Sequence, residues 1–341
     1  MKWRRCSRQA RGKEGGRLGK LPRWLIPLMS TGAFVGVIAG YLVLDRFFID
    51  HVQGYAPVPS AQTSASAAAS ASPLSPGAAS SAASASVGGE VTWDDWKYTS
   101  DHVRIEITKH STGTGSNTVT YYVADVQVTG EENLQSAFAN DQFGLNITRN
   151  TSVIAKAHHA LLAINGDYYG FRQDGGIIRN GVLCRNVPVR MAAAIFQDGH
   201  MEIIDEKAVS AASLLKRGVT DTFSFGPALV IDGVVQKDFA NVMIDSTVMN
   251  RAIEGLNPRT GFGMIAPNYY VFVVVDGRSS GYSKGMTLQE FAQLFKDLGC
   301  TQAYNLDGGG SSTMIFMDRL VNLPQGRTTE RGTSDILFVG E

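Results

Sequence analysis

From Val91 to Glu341 the sequence predicts an α+β domain, a twisted mixed or antiparallel β-sheet core with packed helices, preceded by one transmembrane helix and a disordered linker. Three observations carry that prediction. Runs of β-branched and aromatic residues recur at short intervals through the domain. One segment, TLQEFAQLFKDLG, combines helical apolar spacing with start and stop signals. Upstream of Val91 the composition changes twice, from basic to apolar and then to Ala, Ser, Pro and Gly.

Residues 1–23 hold nine cations (Lys2, Arg4, Arg5, Arg8, Arg11, Lys13, Arg17, Lys20, Arg23) against the single acid Glu14. They read as a basic cytoplasmic tail. Trp24 to Leu44 follows without a charge, about the 20 residues a helix needs to cross a bilayer. The basic flank puts the N-terminus in the cytoplasm and the rest outside, a single-pass cell-membrane protein with an extracellular domain. Asp45, Arg46, Phe47 and Phe48 replace the small residues of a cleavage site, so the span reads as an uncleaved signal anchor. Gly32, Gly36 and Gly40 have the spacing of a helix-pairing face, although a lone lipid-facing helix also accommodates them. Residues 45–90 form an Ala/Ser/Pro-rich linker with no apolar pattern to bury, a plain tether. The 31 cations and 31 acids of the whole chain cancel. With the tail so basic, the remainder is net acidic, which excludes a broad nucleic-acid surface.

Within residues 91–341, VRIEIT, TVTYYVADVQV, MAAAIF, GMIAPNYYVFVVV, STMIFM and DILFV read as strands. QDGH and IDGV supply Asp-Gly turns for antiparallel hairpins. In the helix, Thr287 caps, Glu290 completes a capping box, Leu288, Phe291, Leu294, Phe295 and Leu298 share a face, and Gly299 stops it. A shorter helix is expected over Ser152 to His159. His158 and His159 are neighbours on it and point apart, a poor metal pair. Cys184 and Cys300 are either a disulfide or two buried thiols.

Three polar segments sit at the ends of apolar strands: AINGDYYG (Ala163–Gly170), VVVDGRSSGYSKGMT (Val273–Thr287) and YNLDGGGSST (Tyr304–Thr313). Gly308, Gly309 and Gly310 permit positive φ and close backbone approach, so their amides suit an anion or a sugar oxygen. The loop lacks the lysine of a phosphate-binding loop and the spacing of a dinucleotide fingerprint. Polar strand ends of this kind tend to converge on one rim of a sheet.

Together with SFGPALVIDGVV and NPRTGFGM, these segments closely resemble, in order and spacing, the phosphodiester glycosidase family, whose bacterial members include exopolysaccharide-related proteins. The resemblance covers roughly Asp101 to Gly340 and is most specific in its last block. It implies hydrolysis of the bond between a sugar's anomeric carbon and a phosphodiester, in cell-surface or exopolysaccharide metabolism. Oxocarbenium-like chemistry asks for carboxylates, and Asp307, Asp167 and Asp276 are the catalytic candidates. Each also fits a structural role; Asp276 in particular resembles a turn residue capping its own backbone. Arg259 and Arg278 suit bidentate phosphate contact. Asn165, Asn305, Ser311 and Ser312, with Gly308, Gly309 and Gly310, would hold hydroxyl or phosphate oxygens, and Tyr168 would stack on a sugar face. No cofactor is certain from these motifs; Ca2+ held by strand-end carboxylates is the one metal the pattern leaves open. The implied partner is a carbohydrate phosphodiester or surface polysaccharide, with no nucleic acid. The alternative is a non-catalytic surface protein that binds polysaccharide or wall polymer through the same rim.

Overall fold

The computed structural model describes residues 36–42, 44–45, 49–54, 91–129, 134–239, 242, 244, 253 and 255–340. The chain divides into two units, Met1–Phe48 and Ile49–Glu341. Of the first, the described residues are helical, and all but the half-buried Asp45 are exposed. Most of the expected membrane span lies outside the described residues, and among the described residues no helix is long and apolar enough to cross a membrane.

The second unit is mostly β-sheet with three short helices among the described residues: α1 (Thr151–Ala157), α2 (Ala211–Lys216) and α3 (Leu288–Asp297). Its largest sheet has nine strands, in the order Val234–Val235, Ala228–Ile231, Gln302–Asn305, Arg259–Ala266, Tyr269–Val275, Val119–Val128, Val103–Thr112, Lys97–Thr99 and Thr92–Trp93. A five-stranded sheet runs Arg319–Leu320, Met314–Phe316, Ala160–Asn165, Asp335–Gly340 and Gln135–Phe138. Every neighbouring pair in both is antiparallel, which settles the choice between a mixed and an antiparallel core.

The alternation of side chains along a strand explains why YYVFVVV is apolar at every position. Tyr270, Phe272 and Val274 face one cluster, which also holds Leu162, Ile164, Met314, Phe316 and Leu337 of the five-stranded sheet. Val271, Val273 and Val275 face the other way, onto Phe291 and Phe295 of α3. Each large side chain so buried contributes roughly 1.5–3 kcal/mol. α3 comes close because Gly261 and Gly263 lie beneath it: a Cβ on Gly261 would stand 2.9 Å from the Phe291 ring, and one on Gly263 3.0 Å from Phe295. α1 buries Ile154 and Ala155 against Ala163, Ile315 and Ile336, on the far side of the smaller sheet.

Three expectations change in detail. GMIAPNYYVFVVV is two strands, because the chain reverses at Asn268, whose φ is 63°. α1 ends at Ala157; His158 caps it and bonds Asp141 at 2.8 Å, and His159 is exposed. The linker does not begin at residue 45, since His51–Val52 pairs with Gly144–Leu145 and the Gln53 amide donates to Phe143 O at 2.8 Å. Cys184 and Cys300 are free thiols, and burial raises both, Cys300 to about 12.

The capping box is present in full. The Thr287 amide donates to Glu290 Oε2 at 2.8 Å, and the Glu290 amide donates to Thr287 Oγ1 at 3.2 Å. Thr287→Ala should therefore lower unfolding free energy by about 1 kcal/mol. Urea titration of the chain checks this, with the midpoint falling and the slope unchanged.

Candidate active site

The glycine loop is the crossing between the two large sheets. It leaves the nine-stranded sheet at Asn305, forms a single 3₁₀ turn over Gly309–Ser311 and enters the five-stranded sheet at Met314. AINGDYYG meets it at the same rim, where the Asp307 amide donates to Gly166 O at 3.2 Å and Asn165 Nδ2 donates to Asp307 O at 2.7 Å. The Val273–Thr287 segment arrives from the third side. Asn322 Nδ2 donates both to Asp276 Oδ1 at 2.8 Å and to Ser312 O at 2.9 Å.

The three aspartates differ sharply. Asp167 is enclosed: its Oδ1 accepts from Arg172 Nη2 at 2.7 Å and from the Tyr168 amide at 2.6 Å, and its Oδ2 accepts from the Ser224 amide at 2.8 Å. Burial acts to raise its pKa, but Arg172, Arg179 and the Ser224 amide outweigh it and hold it below the ordinary value. Asp276 is equally enclosed. Its Oδ2 accepts from Tyr282 OH at 2.7 Å and from the Leu323 amide at 3.1 Å, and burial raises its pKa. Asp307 is different: its side chain is 15% exposed, and its Oδ2 meets Arg331 Nη2 at 3.1 Å. Burial raises its pKa, the charge of Asp167 adds to the rise, and Arg331 and the Ser311 hydroxyl restrain it.

Several expected ligand contacts turn inward. Asn165 spends its amide on the fold, with Oδ1 accepting from Thr260 Oγ1 at 2.8 Å and from the Thr313 amide at 3.1 Å. Asn305 donates to Gly226 O at 2.8 Å. Arg259, 2% exposed, donates to Met286 O at 3.0 Å, Ile253 O at 2.6 Å and Gly255 O at 2.8 Å, so its fork faces backbone carbonyls rather than a phosphate. Desolvation and the nearby Arg278 pull its pKa down to about 10. Ser312 is fully buried behind the loop. The Tyr168 ring stacks on Phe171 at 4.9 Å and meets Phe225 edge-on at 6.4 Å.

Arg278 and the glycines do share one face. Arg278 is exposed, bonds Asn257 Oδ1 through Nη2 at 2.7 Å, and holds Nη1 3.3 Å from where a Cβ on Gly309 would stand. Gly309 has φ 64°, the left-handed region that glycine enters without cost. On the other flank Arg331 donates to Ser311 Oγ through Nε at 2.9 Å and Nη2 at 2.6 Å. Two guanidiniums thus bracket the loop beside Asp307, an arrangement suited to a dianionic or anionic oxygen cluster. Among the described residues no group of three or more His, Cys, Asp or Glu is placed to hold a metal ion. The carboxylates of Asp167 and Asp276 face N–H and O–H donors, a poor donor set for Ca2+.

Arg331, Arg172, Arg179, Asn322 and Asp335 escaped the sequence reading. Asp335 Oδ1 accepts from the Asp167 amide at 2.7 Å and Oδ2 from Arg179 Nη2 at 2.6 Å. Burial pushes its carboxyl up to about 7, with Asp167 reinforcing and Arg179 opposing. The available signal was the rarity of charge inside strand-rich sequence: Arg172 precedes and Arg179 ends the strand Gly175–Arg179, and Asp335 opens an otherwise apolar strand.

The sequence profile of the phosphodiester glycosidase family matches residues 158–340, more than half of the chain, and takes in all three aspartates and both guanidiniums of the rim. The chain belongs to the phosphodiester glycosidase family. Among curated proteins it is 30% identical over 189 residues to the SPbeta prophage-derived uncharacterized protein YomE of Bacillus subtilis (strain 168), a match covering 53% of this chain and 28% of that protein. This chain therefore spans well under half the length of that relative. Its fold is similar to the zebrafish N-acetylglucosamine-1-phosphodiester alpha-N-acetylglucosaminidase catalytic domain, auto-inhibited by its pro-peptide, with a TM-score of 0.56 at 21% identity, over 75% of this chain and 89% of that one. A hypothetical protein from Synechocystis matches at a TM-score of 0.52 and 14% identity, over 70% of this chain and 62% of that one.

The environment of Asp307 yields a pH prediction. A carboxyl with a raised pKa stays protonated to higher pH, so a reaction that needs its ionised form has an acid limb above the ordinary 3.8. Arg331→Ala removes a restraining charge and should move that limb further up. Profiles of kcat/KM against pH for both proteins test this, and a limb that stays put in Arg331→Ala would separate the two groups.

Proposed function

We propose that the chain is a membrane-anchored extracellular hydrolase that cleaves the bond between a sugar's anomeric carbon and a phosphodiester, with Asp307 as the carboxylate at the anomeric carbon. One observation carries this reading: Asp307 is the candidate carboxylate with an open face, it meets Arg331, and the glycine loop that follows it carries Arg278 against Gly309. Family membership supports the reaction class.

In the proposed reaction the bond from C1 to the phosphate oxygen breaks, and the electron pair leaves with the phosphomonoester. Asp307 stabilises the positive charge that develops at C1. Water supplies the new C1–OH, and its second proton passes through Asp307 to the phosphomonoester or to solvent. A phosphate is a good leaving group, so holding its charge matters more than protonating it. Arg278, Arg331 and the amides of Gly308 and Gly310 would do this; the Gly309 amide is taken by Pro258 O at 3.0 Å, and Ser311 orients Arg331 while the site is empty. Asp167 and Asp276 act as positioning residues in this scheme. A polysaccharide-binding role without turnover is the alternative, and the open Asp307 argues against it, since binding alone gains nothing from a carboxylate beside an anion.

Anchoring through Trp24–Leu44 is part of the same proposal.

Two variants separate chemistry from binding. Asp307→Asn should lower turnover of a sugar-1-phosphodiester about a thousandfold or more and leave affinity within about tenfold, because it removes a transition-state interaction. The carboxyl's raised pKa means the folded state disfavours its ionised form, so stability is lost as pH rises through that pKa; the uncharged Asn should melt no lower at neutral pH. Gly309→Val should weaken binding and turnover together, since a β-branched residue at φ 64° is strained and its Cβ crowds Arg278. Initial rates, direct binding and melting curves read all of this, and an Asp307→Asn protein with near-normal rates would remove Asp307 from catalysis.

A further inference from the structure

A second concavity of about 310 Å³ lies across the Phe225–Pro227 segment, walled by Met191, Phe225, Ile231 and Phe239, with Arg190 and Lys237 at its edge. It shares that wall with the Asp307 centre. Ser224, next to Phe225, gives its amide to Asp167, and the Phe225 ring meets Tyr168. Gly226 exchanges two hydrogen bonds with Asn305, two residues ahead of Asp307: its amide donates to Asn305 O at 3.2 Å and its carbonyl accepts from Asn305 Nδ2 at 2.8 Å.

One feature suits this concavity to an apolar ligand. Its walls are largely apolar and include Met191, a large side chain 38% exposed. Such surface is stabilised when an apolar group covers it.

We propose that this concavity is the subsite for the group esterified to the far side of the phosphate, and that it selects an apolar aglycone, an alkyl or isoprenoid chain. The inference rests on reading the Asp307 centre as a glycosidase. At about 30 Å³ for each water-sized group, the volume takes on the order of ten heavy atoms, the phosphate-proximal part of a longer chain. The aglycone undergoes no chemistry: the C1–O bond breaks on the sugar side, and the chain departs as its phosphomonoester.

The test uses the full chain and one sugar carried through methyl, glyceryl, hexyl and geranyl phosphodiesters, repeated for several hexoses and N-acetylhexosamines. The expected result is kcat/KM at least tenfold higher for hexyl and geranyl than for glyceryl, since a single methylene in an apolar pocket is commonly worth tenfold or more. Met191→Glu should collapse the hexyl-to-glyceryl ratio towards one, and Phe239→Ala should reduce it. Equal kcat/KM across aglycones, or a ratio that survives Met191→Glu, overturns the subsite. Direct binding of hexyl phosphate against glycerol phosphate decides the matter without turnover. If no ester is hydrolysed but hexyl phosphate binds at least tenfold tighter and loses this in Met191→Glu, the subsite stands and the glycosidase reading falls; equal binding of the two phosphates overturns the subsite whatever the rates.

Discussion

Two carboxylates with no access to water, Asp167 and Asp335, fix the geometry on which the rest of the rim depends. Asp335 takes the Asp167 amide on one oxygen and Arg179 on the other, and its own backbone carbonyl accepts from the Gly166 amide. Gly166 has no alternative there, because a Cβ would stand 2.3 Å from Asp335 Oδ1. The Gly166 carbonyl then receives the Asp307 amide. A buried ion pair contributes little net stability once desolvation is counted, but removing one partner is severe. Its value here is positional: three segments distant in sequence are held to one another through groups that tolerate little displacement.

The same logic separates three aspartates that look alike in sequence. Each ends a strand and precedes glycine or a polar turn, yet their surroundings push them apart. Asp167 faces guanidiniums and is held ionised. Asp276 faces an amide, a phenol and a backbone N–H, in a site where burial raises its pKa. Asp307 keeps an open face and one exposed cation. Differences in environment, rather than residue type, assign different roles to chemically identical groups.

Much of this was legible in the sequence, for reasons of period and chain stiffness. The capping box, the Asp-Gly hairpins and the apolar runs are local signals, and each gave the element it encodes. The convergence of the three polar segments followed from their strand-end positions. What was hidden is tertiary. Nothing local tells that Gln302–Asn305 and Met314–Phe316 belong to different sheets, so the sequence does not show that the loop between them joins the two. Arg331 lies in the polar turn TTERGTSD, where no periodicity announces that it reaches back over twenty residues to Asp307 and Ser311. Arg259 illustrates the opposite error: a residue well suited to phosphate by type serves three backbone carbonyls instead, because folding must satisfy those carbonyls first. His51 and Val52 carry too little pattern in two residues to separate a docked strand from a tether.

In the proposed reaction, Arg331 would reconcile two opposing demands at the rim. A carboxylate meant to stabilise positive charge must be ionised, which a cation beside it favours, whereas an approaching phosphate is repelled by that carboxylate unless a cation intervenes. A buried arginine would meet the first demand and be too fixed for the second. Arg331 is 53% exposed and is held by Asp307, Ser311 and the Gly308 carbonyl at 3.3 Å, contacts that water can replace at modest cost. It can stay on Asp307 while the site is empty and shift its charge toward a phosphate as one arrives. That shift would leave Asp307 less compensated, and a less compensated carboxylate interacts more strongly with a developing positive charge at the anomeric carbon. Arg278, on the opposite flank, is anchored through Asn257 and is the steadier of the two cations. One guanidinium that moves and one that stays would let the cradle admit an anion without first surrendering the charge that makes Asp307 useful.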